Sequence, residues 1–386
     1  MNPRQRFLAT MHYQPRDRSP ICDFGFWDET IIEWHKQGLP AHITGGSDTS
    51  KTDPFFGMEA YGGGPGAHVG LCPGFENKVI EDRGEYEVVQ QGDGVRVLRQ
   101  KYMGSIPHHE GHLLVDRESW RQYYKPRLDP SSPARLPGGG VGPEWENAVR
   151  IWKDPNRDFC CSLWAGSLFG WLRDWMGLEN ISMVPYDDPA WFEEMVTTLA
   201  DSCYAILKRV LETGGKFDGC AFWEDMCYNA GPLLSPSHFK QYLVPHYRRL
   251  SDLLRKHGVD VIWLDCDGKI DDLMPMWLDA GINCMFPMEI GTWGADPIKY
   301  RRQYGKELLI MGGFDKHILA QSKENIEAEV KRLTPLVEEG GFIGFCDHRV
   351  PPDVSLDNYL HYLRTVRKYW GKDLPNLLPM GKIEKV

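Results

Sequence analysis

The sequence predicts an α/β fold, a (β/α)8 TIM barrel with an N-terminal extension containing a β-hairpin, and three observations point to it. From about residue 158 to 370, short apolar runs alternate with amphipathic helical stretches at the spacing of βα units. The run at residues 259–264 is apolar apart from Asp260, the pattern of a parallel strand covered by helices on both faces. Nearly every run ends in a carboxylate, thiol or imidazole: Glu224, Asp265, Asp267, Glu289, Asp315, Cys346 and His348. Capping and turns account for one or two of these, but nothing in capping requires such a group at the same end of five consecutive strands. In a barrel those ends converge on one cavity.

Taken in order, residues 2–11 read as an amphipathic helix and residues 19–27 as a first strand leading into a helix through Ile31, Ile32 and Trp34. Residues 44–74 are rich in glycine, and no strand precedes them to make a phosphate loop, so a mobile loop is expected. Alternation over residues 78–105 around Gly92-Asp93-Gly94 predicts a hairpin. The following Pro107-His108-His109-Glu110-Gly111-His112 lacks the helical spacing of a zinc protease. Strands are then expected at 159–165, 217–223, 259–264, 282–287, 308–312 and 342–345, with helices at 187–212, 235–256, 270–279 and 322–339. The chain divides into an extension over 1–157, with the first strand, glycine-rich loop and hairpin, and the main part of the barrel over 158–386, the whole forming one structural domain.

The net charge of −10 is spread among interspersed acids and bases, which disfavours a nucleic-acid partner. No apolar run approaches the roughly 18 to 20 residues of a membrane span. The 10 cysteines are scattered without a CxxC pair, and the opening Met1-Asn2-Pro3-Arg4 has no secretory pattern, so reduced thiols and a cytoplasmic setting are expected. A homodimer is compatible with the sequence, which does not choose between one copy and two.

An acidic pocket with a thiol and an imidazole supports two chemistries. Asp265 and Asp267, two apart on an extended segment, can point the same way and hold a zinc ion with Cys346 or His348. Without metal, Glu224, Asp265 and Asp267 can act as general acids, their pKa raised by burial and mutual repulsion. The 14 Trp, 16 Tyr and 16 Phe suit a pocket lined with aromatic walls, although aromatics are also ordinary core material.

From Asp218 to Gly371 the chain resembles the uroporphyrinogen decarboxylase superfamily, including its cobamide-dependent methyltransferase branch. The residues that carry this are Trp223-Glu224-Asp225-Met226, Gly231-Pro232-Leu233-Leu234-Ser235-Pro236, Asp265-Cys266-Asp267-Gly268, Met311-Gly312-Gly313-Phe314-Asp315 and Asp353-Val354-Ser355-Leu356-Asp357-Asn358; weaker similarity reaches Asn2-Pro3-Arg4-Gln5-Arg6-Phe7. The resemblance implies a barrel with its site at the C-terminal strand ends. Porphyrinogen decarboxylases hold an eight-carboxylate substrate with an N-terminal arginine-rich segment, whereas Cys22-Asp23-Phe24-Gly25-Phe26-Trp27 has no arginine. The methyltransferase branch holds zinc with His-x-Cys and a last-strand Cys; here those positions read Asp265-x-Asp267 and Cys346, a harder set less suited to activating a thiol. The chain therefore looks most like the O-demethylase components, which implies methyl transfer from a methoxylated aromatic to the Co(I) corrinoid of a separate corrinoid protein. That resemblance makes Trp27, Trp223, Trp263 and Phe286 candidates to wall the ring, although each is also ordinary core material, Glu289 a candidate substrate contact and Arg349 a candidate partner for a benzoate carboxylate. The alternatives are a cofactor-free decarboxylase, a thiol/corrinoid methyltransferase with another methyl donor, and a barrel that binds a ligand without turnover.

Overall fold

The computed structural model describes residues 1–46, 48–101, 106–291 and 293–371, so residue 47 of the expected loop, residues 102–105 at the end of the expected hairpin and residues 372–386 of the expected main unit lie outside the described residues. In chain order the principal elements are α1 (Pro3–Met11), α2 (Asp28–Lys36), β1 (Lys78–Arg83), β2 (Tyr86–Gln90), β3 (Arg96–Gln100), β4 (His108–Gly111), α3 (Gly142–Lys153) and β5 (Ser162–Trp164). They continue with α4 (Gly170–Met176), α5 (Leu178–Asp187), α6 (Pro189–Leu211), β6 (Gly219–Trp223), α7 (Val244–Lys256), β7 (Ile262–Asp265), α8 (Met274–Asp279) and β8 (Cys284–Met288). The last are α9 (Pro297–Tyr304), β9 (Leu309–Phe314), α10 (Lys323–Glu339), β10 (Phe342–Cys346) and α11 (Leu356–Tyr369). Side-chain caps start several of these helices where the sequence places them: Asp188 accepts from Trp191 N before α6, and Ser322 from Asn325 N before α10.

Strands β5 to β10 form one parallel sheet in the spatial order β10-β9-β8-β7-β6-β5. Two irregular segments continue it around the circle. Phe26 bridges Val350 in parallel just beyond β10, and Val350 N donates to Gly25 O at 3.0 Å. On the other side of this segment Glu59 N donates to Ile21 O at 2.7 Å, and Ser162 N at the start of β5 donates to Gly63 O at 3.1 Å. Residues 59–63 thus sit between the first segment and β5, the place a second strand takes in a (β/α)8 barrel.

This corrects the mobile-loop expectation for residues 44–74. The glycines there serve close approach: a Cβ on Gly62 would stand 2.7 Å from Ser162 Oγ, and one on Gly64 (φ +88°) 2.7 Å from Cys161 Sγ. The tract also contains a short helix, Thr52–Phe56. The expected hairpin is present as β2 and β3, turning at Gly92-Asp93-Gly94, and it belongs to a larger antiparallel sheet in the order β1-β2-β3-β4. No helix among the described residues is long and apolar enough to cross a membrane.

Apolar packing falls into two layers because strand side chains alternate. An inner cluster fills the barrel with Ala221, Val261, Trp263, Cys284, Phe286, Met311, Ile343 and Phe345. An outer cluster lies between strands and helices and takes the alternate positions, among them Phe222, Ile262, Leu264, Ile310, Phe342 and Cys346. This in-and-out assignment decides which strand-end residues reach the mouth.

Candidate active site

Asp265 continues the inward register of Val261 and Trp263 and stands at the C-terminal tip of β7. Asp267 follows two residues later, held by a tight turn: Gly268 has φ +91°, and a Cβ there would lie 2.6 Å from the Cys227 carbonyl carbon. Asp225, just past β6, is the third carboxylate; one oxygen each from Asp225, Asp265 and Asp267 lie within 4.8 Å of one another. Asp225 has φ +41°, a left-handed conformation rare for a non-glycine residue, of the kind found where a site dictates the backbone. Arg173 on α4 secures it, donating to the Asp225 carbonyl at 2.6 Å with its guanidinium 3.6 Å from Oδ2, while Asp267 N donates to Asp225 Oδ1 at 3.2 Å. His348 Nε2 approaches Asp267 Oδ2 at 3.3 Å from the last strand end.

Burial dominates the electrostatics of Asp265 and Asp225. It pushes Asp265 well above the carboxylate range, and the charges of Asp225 and Asp267 push it further while Arg349 opposes them. Burial, then Asp267, raises Asp225 to about 6. Both groups therefore give up their protons at higher pH than isolated carboxylates do. Asp267 Oδ1 is buried and accepts no hydrogen bond among the described residues, so it has room for a proton or a cation as partner.

Aromatic side chains wall the mouth. Phe286 packs edge-on against Phe24 at 5.0 Å and near Tyr61 at 5.6 Å, forming the floor. Trp27 is half-buried with its ring 5.5 Å from His348. Trp223 opens onto a cavity of about 700 Å³, lined also by Trp164, Trp171, Trp175 and the hairpin tip at Asp93. A larger cavity of about 950 Å³ lies at the opposite end of the barrel among His12, Asp260 and Lys306, where strands begin, away from the carboxylates.

Four expected site residues turn out to have other work. Glu224 is fully buried, and its carboxylate accepts from Ser167 Oγ and from the backbone of Leu168, Phe169 and Gly170, so it organises the start of α4 and does not face the mouth. Cys346 belongs to the outer layer; burial raises its thiol pKa, with Asp23 and Asp347 adding to the effect, and it does not join Asp265 as a ligand. Trp263 plugs the barrel interior at 5% exposure, fitting over Gly219, where a Cβ would come within 2.4 Å of the indole. Glu289 clamps the mouth, accepting from Gly268 N at 3.1 Å and from Lys316 Nζ at 3.2 Å. Asp315 likewise caps the short helix Lys316–Leu319. The structure therefore gathers Asp265, Asp267, His348, Phe286, Trp27 and Arg349 as expected, and adds Asp225, Arg173, Phe24 and Tyr61.

The arrangement defines a class: a parallel α/β barrel whose C-terminal mouth gathers three half-buried carboxylates among aromatic rings. The signature of the uroporphyrinogen decarboxylase (URO-D) family matches residues 167–369, more than half of the chain, and the chain belongs to that family. Among curated relatives, it is 25% identical over 195 residues to a uroporphyrinogen decarboxylase of Syntrophotalea carbinolica, covering 48% of this chain and 50% of that protein. It is 28% identical over 140 residues to one of Geobacter sulfurreducens, covering 36% and 39%. The chain thus spans about half the length, or less, of these relatives. A methyltransferase from Methanosarcina mazei shares the fold, with a TM-score of 0.58 at 14% identity over 95% of this chain and 98% of that one.

Proposed function

We propose that this protein is a methyltransferase that moves a methyl group from an O-methylated donor, a methoxylated aromatic, to the Co(I) corrinoid of a separate corrinoid protein. The observation that carries the reading is the place of Asp265: a carboxyl at the tip of β7, its pKa pushed up by burial and then by Asp225 and Asp267, set beside aromatic walls at the barrel mouth. Breaking an aryl methyl ether is limited by the poor phenoxide leaving group, and the corrinoid nucleophile comes with its partner. Asp265 gives its proton to the ether oxygen as the carbon–oxygen bond breaks; the methyl passes to the acceptor and a phenol leaves. Asp225 and Asp267 keep that proton in place beforehand, while Phe286, Trp27 and Trp223 supply apolar surface for the ring.

A divalent metal such as zinc is the second way to relieve the leaving group. The carboxylates of Asp225, Asp265 and Asp267 suit a hard or borderline ion, and the orphaned Asp267 Oδ1 fits that role; His348 stands outside this trio, against Asp267 Oδ2 at 3.3 Å. Such an ion would supply Lewis acidity at the ether oxygen. Cys346 lies outside this set, so Cys346→Ala is expected to leave zinc stoichiometry and affinity unchanged within about twofold, while Asp267→Asn weakens binding about tenfold or more. Titration with zinc, followed by elemental analysis of the washed protein, distinguishes the two; loss of metal in Cys346→Ala would restore the thiol ligand.

Decarboxylation of a polycarboxylate, the activity named for the curated relatives, fits the charges less well. Arg4 is bound to Asp218, and Arg6 and Arg18 to Glu59, so the N-terminal arginines are committed within the protein. The test is incubation with a panel of methoxyaromatics and free cob(I)alamin, following methylcobalamin by absorbance and phenol by chromatography. Equimolar methylcobalamin and phenol are expected; carbon dioxide release without corrinoid, or no methyl transfer from any donor, would overturn the reading.

A further inference from the structure

One charged group in the mouth has no part in the step above. The Arg349 guanidinium carbon lies 5.5 Å from the Phe24 ring centre and 5.4 Å from that of Trp27, and among the described residues it makes no hydrogen bond and no ion pair. Other arginines of the fold spend their donors: Arg157 bonds Asp218 and the Lys216 carbonyl, and Arg135 bonds the carbonyls of His68, Gly70, Arg127 and Asp129. A guanidinium carries five N–H donors in a planar fork whose shape matches a carboxylate. Arg349 is half-buried and set on two aromatic faces, so the direction of that fork is fixed while its donors stay unspent.

The neighbourhood suggests what would use them. Arg349 feels the charges of Asp265, Asp28, Tyr61 and Asp267, and so belongs to the same mouth as the carboxylates. Screening those acids needs only a positive charge. It does not need a fork left free, and Arg349 bonds none of the acids it would screen.

We propose that Arg349 is the receptor for a carboxylate on the aromatic methyl donor, with Trp27 and Phe24 holding the guanidinium in place, an assignment that rests on the methyl-donor reading above. A donor bridging Arg349 and Asp265 would carry its acid at one end and its ether oxygen at the other, which makes a methoxybenzoate the fitting class.

Calorimetric binding of 4-methoxybenzoate and 4-methoxybenzamide, which differ only in the distal group, an anionic carboxylate in one and a neutral amide in the other, tests this without any turnover. The wild-type protein is expected to bind the acid about tenfold tighter or more than the amide. Arg349→Gln should abolish that preference by weakening the acid alone, and Arg349→Lys should keep part of it, with thermal melts confirming that both variants fold. Equal affinities in the wild type, no binding of either compound, or an equal loss for both in Arg349→Gln would overturn the assignment. The two readings fail separately: efficient methyl transfer only from uncharged ethers removes the carboxylate receptor, whereas selective binding of the acid without methyl transfer removes the reaction.

Discussion

Asp265→Asn is expected to lower the rate of methyl transfer about 10²- to 10⁴-fold while changing donor affinity by less than about threefold. The amide keeps the size of the carboxyl and its place at the tip of β7 but has no proton to give the leaving oxygen. The pH dependence follows from the directions of the shifts. The active form is protonated, so the wild-type rate is expected to hold at low pH and to fall as pH rises through the folded pKa of the acid. Asp225→Asn removes a negative neighbour that helps to raise Asp265, so the falling limb should move to lower pH. Stability follows the same sign: carboxyls raised above their unfolded value bind more protons in the folded state, so folding free energy is lost as pH rises from about 4 through the folded pKa. That loss should be smaller in Asp265→Asn. Rates of cob(I)alamin methylation and urea melts between pH 5 and 9 measure both; an Asp265→Asn rate within threefold of wild type, or a rate that climbs with pH, would remove the acid from the mechanism.

Much of this was legible before the coordinates, and the misses share a cause. Alternating strands and helices announced the barrel, and the tips of β7 and β10 announced Asp265, Asp267 and His348. The second strand position was hidden because its glycines read as a loop, although they are what lets residues 59–63 lie against β5. Cys346 was misassigned because β10 is apolar on both faces, so alternation there leaves no contrast in the sequence; only packing shows that Ile343 and Phe345 face in and Cys346 faces out. The exchange of Glu224 for Asp225 has a different origin. A positive φ at Asp225 breaks the two-residue register after β6 and brings the second carboxylate into the mouth, and no local pattern signals that turn.

Glu224→Ala is expected to destabilise the protein by roughly 3–5 kcal/mol and to lower its melting temperature by about 5–10 °C. The carboxylate has no exposed surface and accepts from Ser167 Oγ at 2.9 Å, Leu168 N at 2.8 Å, Phe169 N at 2.8 Å and Gly170 N at 3.0 Å. Alanine would leave three backbone donors and a hydroxyl unpaired in a dry space, with a cavity beside them. Water does not easily refill it, because Gly170 is packed so closely that a Cβ there would stand 2.4 Å from the Glu224 carbonyl oxygen. Gln keeps one acceptor oxygen and should recover part of the loss. Activity should fall together with stability in this series, since α4 carries Arg173, and Arg173 holds Asp225 by its carbonyl. Asp265→Asn should show the opposite signature, a lost rate in a protein that melts near the wild-type temperature. A Glu224→Ala protein that melts within about 2 °C of wild type yet has lost methyl transfer would return Glu224 to the chemistry, because a residue that only builds α4 cannot be removed without cost to the fold.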